Sequence, residues 1–273
     1  MQTITFHNNN TMPQLGFGLW QVPDDEAVKA VSEAFKVGYR SIDSAQIYQN
    51  ESGLGEAIKR SHITRDELFI TTKVWNEQHG YDSALRSFDE SMKKLGLERL
   101  DLLLIHWPAP KKNLYVDTWK ALIQLQKEKR VTNIGVSNFT PTCLDRIIDA
   151  TGVVPVLNQI ELHPHFQQKE LRAYHAKHKI KTESWSPLGR GQVIQDPVIG
   201  QIAAKHKKTP AQVILRWHLD NGLIVIPKSV TPSRIAENFH VFDFKLDDAD
   251  LKAIEKLDQV NGRIGPDPDT ATF

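Results

Sequence analysis

The sequence has little cysteine, little excess charge and no obvious membrane-spanning run. One of its 273 residues is a cysteine, Cys143, so no disulfide can form within the chain. Basic and acidic residues nearly cancel, 34 against 33, which argues against a broad basic face for nucleic acid or an anionic membrane. Apolar runs such as 102–105 are far too short to cross a bilayer. We therefore expect no nucleic-acid partner and no membrane partner.

The first residues also lack the pattern of a secretory signal, because no basic segment precedes a long apolar stretch. A cytoplasmic protein is expected on that basis. Hydrophobic residues make up 40% of the chain and charged residues 25%, the balance of an ordinary globular protein. No linker or change in composition divides the sequence, so we expect one domain over residues 1–273.

Short apolar runs alternate with amphipathic helical patterns along most of the chain. Eight of these runs are predicted to be strands: 15–18, 40–43, 68–74, 100–106, 131–137, 156–160, 180–185 and 223–226. Several are apolar on both faces, as is typical of parallel strands covered by helices on both sides. Eight strand–helix repeats favour an α/β fold closed into a (β/α)₈ TIM barrel.

Smaller features complete this prediction. Residues 3–7 and 12–15 flank three asparagines and predict an N-terminal β-hairpin, whereas 262–273 predict an irregular C-terminal tail. Asp24 is expected to cap the first helix, which Gly38 would end in a left-handed conformation. Cys143 falls in a predicted helix and is interpreted as a small core residue.

Polar side chains stand where the apolar runs end. Asp43, Lys73, His106 and Ser137 close four successive runs, at separations of 30, 33 and 31 residues. Later runs end similarly, at Gln159, Trp185 and Lys228. In a (β/α)₈ barrel the C-terminal strand ends carry the functional side chains. We therefore expect these residues to converge.

A proton-donating arrangement is suggested by two of these residues, Asp43 and Lys73, together with Tyr48. A lysine at the end of a buried strand needs a partner, which Asp43 could supply to Lys73. Lys73 would favour the ionised form of a nearby phenol and lower the pKa of Tyr48, which could then act as a general acid. His106 could orient the substrate oxygen. The spacing is equally compatible with a structural Asp–Lys pair beside a half-buried tyrosine and histidine.

Longer motifs resemble those of the aldo-keto reductase family, in order and over essentially the entire chain. They are Gly38-Tyr39-Arg40 with Asp43-Ser44-Ala45-Gln46-Ile47-Tyr48, Lys73-Val74-Trp75, Ile105-His106-Trp107-Pro108, Gly135-Val136-Ser137-Asn138-Phe139, Asn158-Gln159-Ile160-Glu161, and Ile226-Pro227-Lys228-Ser229 running on to Arg234 and Glu237-Asn238. Within the family, 182–188 and 265–268 are most similar to the bacterial 2,5-diketo-D-gluconate reductases.

The resemblance implies a barrel that binds NADPH (NADP+) without a Rossmann fold. The sequence agrees, because Gly16-Phe17-Gly18 and Gly189-Arg190-Gly191 both lack the third glycine of GxGxxG. In this interpretation Tyr48 donates the proton, assisted by Lys73 and Asp43, while His106 positions the carbonyl group.

The resemblance also implies a set of cofactor contacts. Ser137, Asn138 and Gln159 would bind the nicotinamide carboxamide, and Trp185 would stack on the ring. Small or loop residues would approach the cofactor near the pyrophosphate: Ser186, Pro187, Leu188, Gly189 and Gly191. Gly18 is also expected to contact the cofactor. The helix that Thr231-Pro232 opens would bind the adenosine 2′-phosphate and adenine through Lys228, Ser229, Arg234, Glu237 and Asn238, which favours NADPH over NADH.

Trp20, Trp75 and Trp107 each follow or end a strand and are predicted to wall an apolar substrate pocket, although any one alone could be core. Glu161, His163 and His165 alternate like metal ligands. Pro164 separates the histidines and no further ligand lies nearby, so we expect no metal.

We therefore expect an enzyme that reduces a small-molecule carbonyl: 2,5-diketo-D-gluconate to 2-keto-L-gulonate, methylglyoxal or β-keto esters. A monomer is expected because it is the family's usual form. Two rivals remain open at this point. One is a non-catalytic NADPH-binding regulatory module on the same fold, and the other is a metal-dependent barrel hydrolase.

Overall fold

A β-hairpin precedes the main sheet. The computed structural model describes residues 2–271, so residues 272 and 273 of the predicted tail lie outside the described residues. Strand β1 (Thr3–Thr5) pairs antiparallel with β2 (Thr11–Pro13), which confirms the predicted hairpin. The Phe6 amide donates to the Asn10 carbonyl at 2.8 Å, so the turn takes up residues that the sequence pattern assigned to strands.

Eight parallel strands follow in one sheet, and strands adjacent in sequence are adjacent in space. They are β3 (Phe17–Gly18), β4 (Ser41–Asp43), β5 (Phe69–Val74), β6 (Leu100–Ile105), β7 (Val131–Ser137), β8 (Leu157–Glu161), β9 (Lys181–Trp185) and β10 (Ile224–Val225). Leu15 bridges to Val225 in parallel, and the Gly16 amide donates to the Val225 carbonyl at 2.9 Å. The last strand thus meets the first, and the predicted barrel is confirmed.

Helices surround the barrel: α1 (Asp24–Val37), α2 (Glu51–Arg60), α3 (Tyr81–Leu95), α4 (Tyr115–Lys127), α5 (Pro141–Thr151), α6 (Lys169–Lys177), α7 (Pro197–His206), α8 (Pro210–Asp220), α9 (Pro232–Phe239) and α10 (Asp248–Glu255). Their apolar faces cover the sheet; in α3, for example, Ala84, Phe88 and Met92 are buried. Every residue of β6 is buried, because helices cover one face of the strand and the barrel core covers the other. None of the helices within residues 2–271 is long and apolar enough to cross a membrane.

The start of α1 differs from the prediction. Pro23 occupies the N-cap position, and the expected capping by Asp24 is wrong. The Asp24 carboxylate instead accepts a hydrogen bond of 2.6 Å from the amide of Gly53, which ties α1 to α2. A Cβ on Gly53 would lie 2.2 Å from the Asp24 carbonyl oxygen, so only glycine permits this close approach. The helix ends as expected at Gly38, with φ of 123°.

Candidate active site

A cavity of about 580 Å³ opens at the C-terminal ends of the barrel strands. Most side chains singled out from the sequence line it: Gly18, Trp20, Asp43, Tyr48, Trp75, His106, Trp107, Ser137, Asn138, Gln159, Trp185, Ser186 and Lys228. Pro187, expected on the loop near the pyrophosphate, lines it too. Residues not singled out as site residues also contribute, namely Gln21, Ile47, Arg190, Ile226 and Pro266. The predicted convergence of the strand ends therefore occurs, because parallel strands all end at the same face of a barrel.

Lys73 and Asp43 form a buried ion pair beneath this cavity. The Lys73 ammonium donates to a carboxylate oxygen of Asp43 at 2.5 Å and to the carbonyl oxygen of Ser44 at 2.8 Å. Burial acts to lower the pKa of Lys73, but Asp43 and other neighbouring acidic groups outweigh it and raise that pKa. Lys73 therefore stays charged inside the barrel, where an unpaired ammonium would be strongly unfavourable.

Tyr48 lies over this pair, in the short turn that follows β4. The Lys73 ammonium is 5.0 Å from the centroid of the Tyr48 ring. Burial raises the pKa of Tyr48, and this effect exceeds the lowering that Lys73 causes. The expected net lowering of the Tyr48 pKa is therefore wrong. Asp43 and Glu183 add to the rise, because negative charge disfavours a phenolate. Tyr48 is thus a protonated phenol at neutral pH.

His106 stands beside Tyr48 at the end of β6. The ring centroids of Tyr48 and His106 are 5.5 Å apart, and the ring centroids of Trp75 and His106 are 5.1 Å apart. Burial, followed by the charge of Lys73, holds the pKa of His106 well below its usual value. The imidazole is therefore neutral. It can donate a hydrogen bond into the cavity but cannot serve as a cation there.

Asn138 organises the opposite wall. Its amide nitrogen donates to the His106 carbonyl oxygen and to the Ser137 hydroxyl, both at 3.0 Å. Its amide oxygen accepts the indole N–H of Trp185 at 2.8 Å, and its φ of 61° is left-handed. This single side chain therefore sets the orientation of the Trp185 ring at the cavity wall.

Glu183 is a site residue that the sequence reasoning missed. It lies in the middle of β9, fully buried, and its carboxylate accepts a hydrogen bond of 2.8 Å from Gln159. Gln159 donates equally, at 2.8 Å, to Asp43. Glu183 was not predicted because only residues at strand ends were considered as site residues. The two-residue period of β9 would have indicated it. Glu183 is two residues before Trp185 and therefore shares its face of the strand.

Burial, reinforced by the charge of Asp43, raises the pKa of Glu183 from 4.5 to about 8. A carboxyl whose pKa is higher in the folded than in the unfolded state stabilises the fold most below its unfolded pKa, and this stabilisation is lost as pH rises through the folded pKa. We predict that Glu183→Gln removes this loss. The free energy of unfolding of the variant should rise relative to the original protein between about pH 5 and about pH 9. Denaturant unfolding at both pH values measures the difference, and a constant difference would contradict the prediction.

The predicted tryptophan wall is present, and other groups join it. Trp107 and Trp185 have ring centroids 6.5 Å apart. Trp20 is 38% exposed at the rim, and the guanidinium of Arg190 lies 5.1 Å from its ring centroid. Because Arg190 and Trp20 come from different loops, their contact spans the rim of the cavity.

The C-terminal tail is irregular over its described residues and reaches this cavity. The backbone amides of Ile264 and Gly265 donate to the carboxylate of Glu161 at 2.6 and 2.8 Å, and Pro266 lines the cavity. A Cβ on Gly265 would lie 2.4 Å from the Trp185 ring, so the tail backbone lies directly on that ring. Glu161 therefore fixes the part of the tail that shapes the cavity.

The histidines near Glu161 have other partners. His163 forms a hydrogen bond of 3.1 Å with Glu161, and His165 forms one of 2.8 Å with Asp196. No cluster of potential metal ligands is found among residues 2–271. The three alternating residues thus have other partners: Glu161 and His163 belong to the tail anchor, and His165 belongs to an adjacent half-buried pair with Asp196.

The residues proposed for the outer part of a cofactor lie around the N-terminus of α9. Lys228 also lines the cavity, whereas the others lie beyond it. Lys228 and Arg234 are exposed on either side of the N-terminus of α9, and neither forms an ion pair within residues 2–271. Thr231 is the N-cap residue and provides no side-chain hydrogen bond to the helix. Free cations beside uncapped helix amides suit an anion.

The remaining predicted residues surround this region without lining the cavity. Ser229 is buried and its hydroxyl accepts from the Thr231 amide at 3.1 Å, while Glu237 accepts from the Thr209 hydroxyl at 2.8 Å. Asn238 is buried on α9. On the loop after β9, Leu188 packs against the hydrophobic core and Gly191 has a φ of 92°.

Comparison with known proteins agrees with this architecture. The model described as the Aldo/keto reductase family matches residues 14–259. Methylglyoxal reductase DkgA of Escherichia coli is 54% identical over 268 residues, covering 97% of this chain and 96% of that protein. The similarity therefore extends over nearly the full length of both proteins.

Solved structures are similar as well. A variant of Gox0644 in complex with NADPH is 57% identical, with a TM-score of 0.97 over 100% of this chain and 99% of that one. An aldo-keto reductase of Bombyx mori in complex with NADP is 36% identical, with a TM-score of 0.88 over 94% and 92%. The chain described here belongs to the aldo/keto reductase family.

Proposed function

We propose that the protein reduces small aldehydes and ketones to alcohols with NADPH, and that Tyr48, Lys73, Asp43 and His106 are its catalytic residues. The observation that carries this proposal is the buried Lys73, held between the Asp43 carboxylate and the Tyr48 ring beside a neutral His106. A purely structural ion pair does not require a phenol and an imidazole at the same cavity. A non-catalytic NADPH-binding module would not require these four side chains to meet at one cavity.

The residues present fit NADPH. Trp185, held by Asn138, presents its ring at the cavity wall, where a nicotinamide ring can stack. Exposed Lys228 and Arg234 beside the start of α9 suit a phosphate at the other end of the cofactor. The NADPH and NADP complexes of the two structural relatives support the same assignment.

The chemistry follows from the protonation states. When bound, NADPH would supply a hydride to the carbonyl carbon. Tyr48 gives its proton to the carbonyl oxygen as negative charge develops there, and Lys73 stabilises the phenolate that remains. Asp43 keeps Lys73 protonated. Neutral His106 donates a hydrogen bond to the same oxygen and thereby fixes the orientation of the substrate.

Among possible substrates, we favour small dicarbonyl compounds such as methylglyoxal. The tryptophan-rich wall, together with the anchored tail at Pro266, suits a short, weakly polar substrate. The name of the E. coli relative supports this choice. 2,5-Diketo-D-gluconate and β-keto esters are the other candidates.

A substrate panel tests the proposal directly. NADPH consumption should be measured with methylglyoxal, 2,5-diketo-D-gluconate, a β-keto ester and simple aldehydes, with NADH in parallel. We expect turnover with at least one carbonyl and a preference for NADPH. Tight NADPH binding without turnover of any carbonyl would instead support the non-catalytic module.

Cofactor preference gives a separate prediction. Arg234→Gln should weaken NADPH binding roughly tenfold or more, because a charge-assisted contact to the 2′-phosphate is lost. NADH affinity should change by less than about threefold, since NADH lacks that phosphate. Arg86→Gln, at an exposed position on α3, is the matched control. Equal weakening of both cofactors in fluorescence titrations would remove Arg234 from the phosphate site.

A further inference from the structure

We propose that Glu183 is a positioning residue which, together with Asp43, holds the side-chain amide of Gln159 so that the amide oxygen faces the nicotinamide carboxamide. This inference rests on the proposed function, because it assumes that nicotinamide binds beside Gln159. It assigns a role to a buried acid for which the proton-transfer chemistry has no use. It also predicts which atoms of the carboxamide the protein can recognise.

The hydrogen bonds around Gln159 allow one orientation of its side-chain amide. Its amide nitrogen donates to Asp43 and to Glu183, at 2.8 Å in each case. A side-chain amide has two N–H donors, and two carboxyl oxygens accept both of them. The amide oxygen of Gln159 is then the atom left for a ligand, and Gln159 lines the cavity.

Glu183 is held in place by the barrel itself. In the parallel pairing of β8 with β9, Gln159 lies opposite Glu183. Glu183 is fully buried, and its second carboxyl oxygen has no hydrogen-bond partner among the described residues. A buried carboxyl whose one side-chain hydrogen bond among the described residues comes from Gln159 gains little stability from that bond. Its effect is to fix Gln159.

The charged groups that face Glu183 are Asp43 on β4 and Lys73 on β5. Because the pKa of Glu183 is raised to about 8, its carboxyl is largely protonated at neutral pH. A protonated carboxyl still offers its carbonyl oxygen to the Gln159 amide. A glutamine at position 183 can offer an amide oxygen in the same place, whereas a methionine cannot.

The experiment uses a cofactor analogue without the carboxamide N–H. In 3-acetylpyridine adenine dinucleotide phosphate a methyl group replaces the amide nitrogen, so nothing can donate to the Gln159 oxygen. We expect the original protein to bind NADP+ roughly tenfold more tightly than the analogue, because a buried acceptor is left unsatisfied. Dissociation constants come from quenching of the protein's tryptophan fluorescence and do not depend on turnover.

Variants of Glu183 then test the positioning role. Glu183→Met should weaken NADP+ binding and reduce the preference for NADP+ over the analogue to less than about twofold. The Gln159 amide then keeps only its hydrogen bond to Asp43 and is no longer fixed in one orientation. Glu183→Gln should restore most of the preference. Ser184→Ala, a neighbouring buried position on the same strand, is the matched control and should keep the preference unchanged.

The outcomes are distinguishable. No preference in the original protein, or a full preference in Glu183→Met, would overturn the positioning role while leaving carbonyl reduction intact. Failure of the original protein to bind NADP+ at all would overturn the proposed function and this inference together. If Glu183→Met does not fold, Glu183→Leu, which likewise offers no acceptor to the Gln159 amide, takes its place, and a full preference in that variant would overturn the positioning role.

Discussion

Replacing Tyr48 with phenylalanine should lower the rate of carbonyl reduction by about 10²–10⁴-fold. The substitution removes the hydroxyl that we assign as the proton donor and keeps the ring, whose edge-on contact with His106 is preserved. The affinity for NADPH should change little, because the phenol proton is needed for the reaction rather than for binding the cofactor. Single-turnover measurements with saturating NADPH separate the two effects.

A matched control is available in Tyr81, which is 39% exposed at the start of α3. Tyr81→Phe should leave both turnover and NADPH affinity unchanged. Retained turnover in Tyr48→Phe would remove Tyr48 from its proposed role. Loss of NADPH binding together with turnover would instead indicate that Tyr48 shapes the cofactor site.

The second large effect concerns the buried pair. Asp43→Asn should lower the free energy of unfolding by about 3–5 kcal/mol, because it leaves the Lys73 ammonium without its charged partner. Lys73→Met should have a similar effect for the opposite reason. Each variant should also reduce carbonyl reduction by about 10²-fold or more, since the Tyr48 phenolate loses its stabilising charge. Denaturant unfolding and turnover are measured on the same samples.

The double variant Asp43→Asn, Lys73→Met separates structure from chemistry. Removing both charges eliminates the unpaired group, so much of the lost stability should return. Activity should not return, because Tyr48 still lacks its cation. Recovery of both stability and activity would favour the purely structural Asp–Lys pair that the spacing of the sequence also allowed.

Most of the architecture could be predicted from local patterns. Runs such as 100–106 are largely apolar on both faces, as strands buried on both sides are. Eight such runs alternating with amphipathic helices allowed few folds other than a closed barrel. Where the pattern failed, a tertiary contact was the cause. Asp24 is of a residue type that caps helices, yet its carboxylate bonds Gly53 of another helix.

The candidate site divides in the same way. The sequence placed Asp43, Lys73 and His106 at strand ends, and strand ends of one barrel converge whatever the loops do. Trp185 followed from its position at the end of β9. These positions depend on chain direction and spacing, which are local properties. Each side chain's protonation state and hydrogen-bond partners depend on what surrounds it in space.

The sequence by itself determined the barrel, the face at which a site could form and most of the residues that stand there, because strand periodicity and spacing depend only on the order of residues in the chain. Only the tertiary structure decided that Tyr48 has a raised pKa rather than a lowered one, since burial outweighs Lys73. It alone joined Glu183 to Gln159 and brought the tail onto Glu161. The pKa of a side chain depends on desolvation and hydrogen bonding by all of its neighbours, and these come from distant parts of the chain. A local sequence pattern therefore cannot predict it.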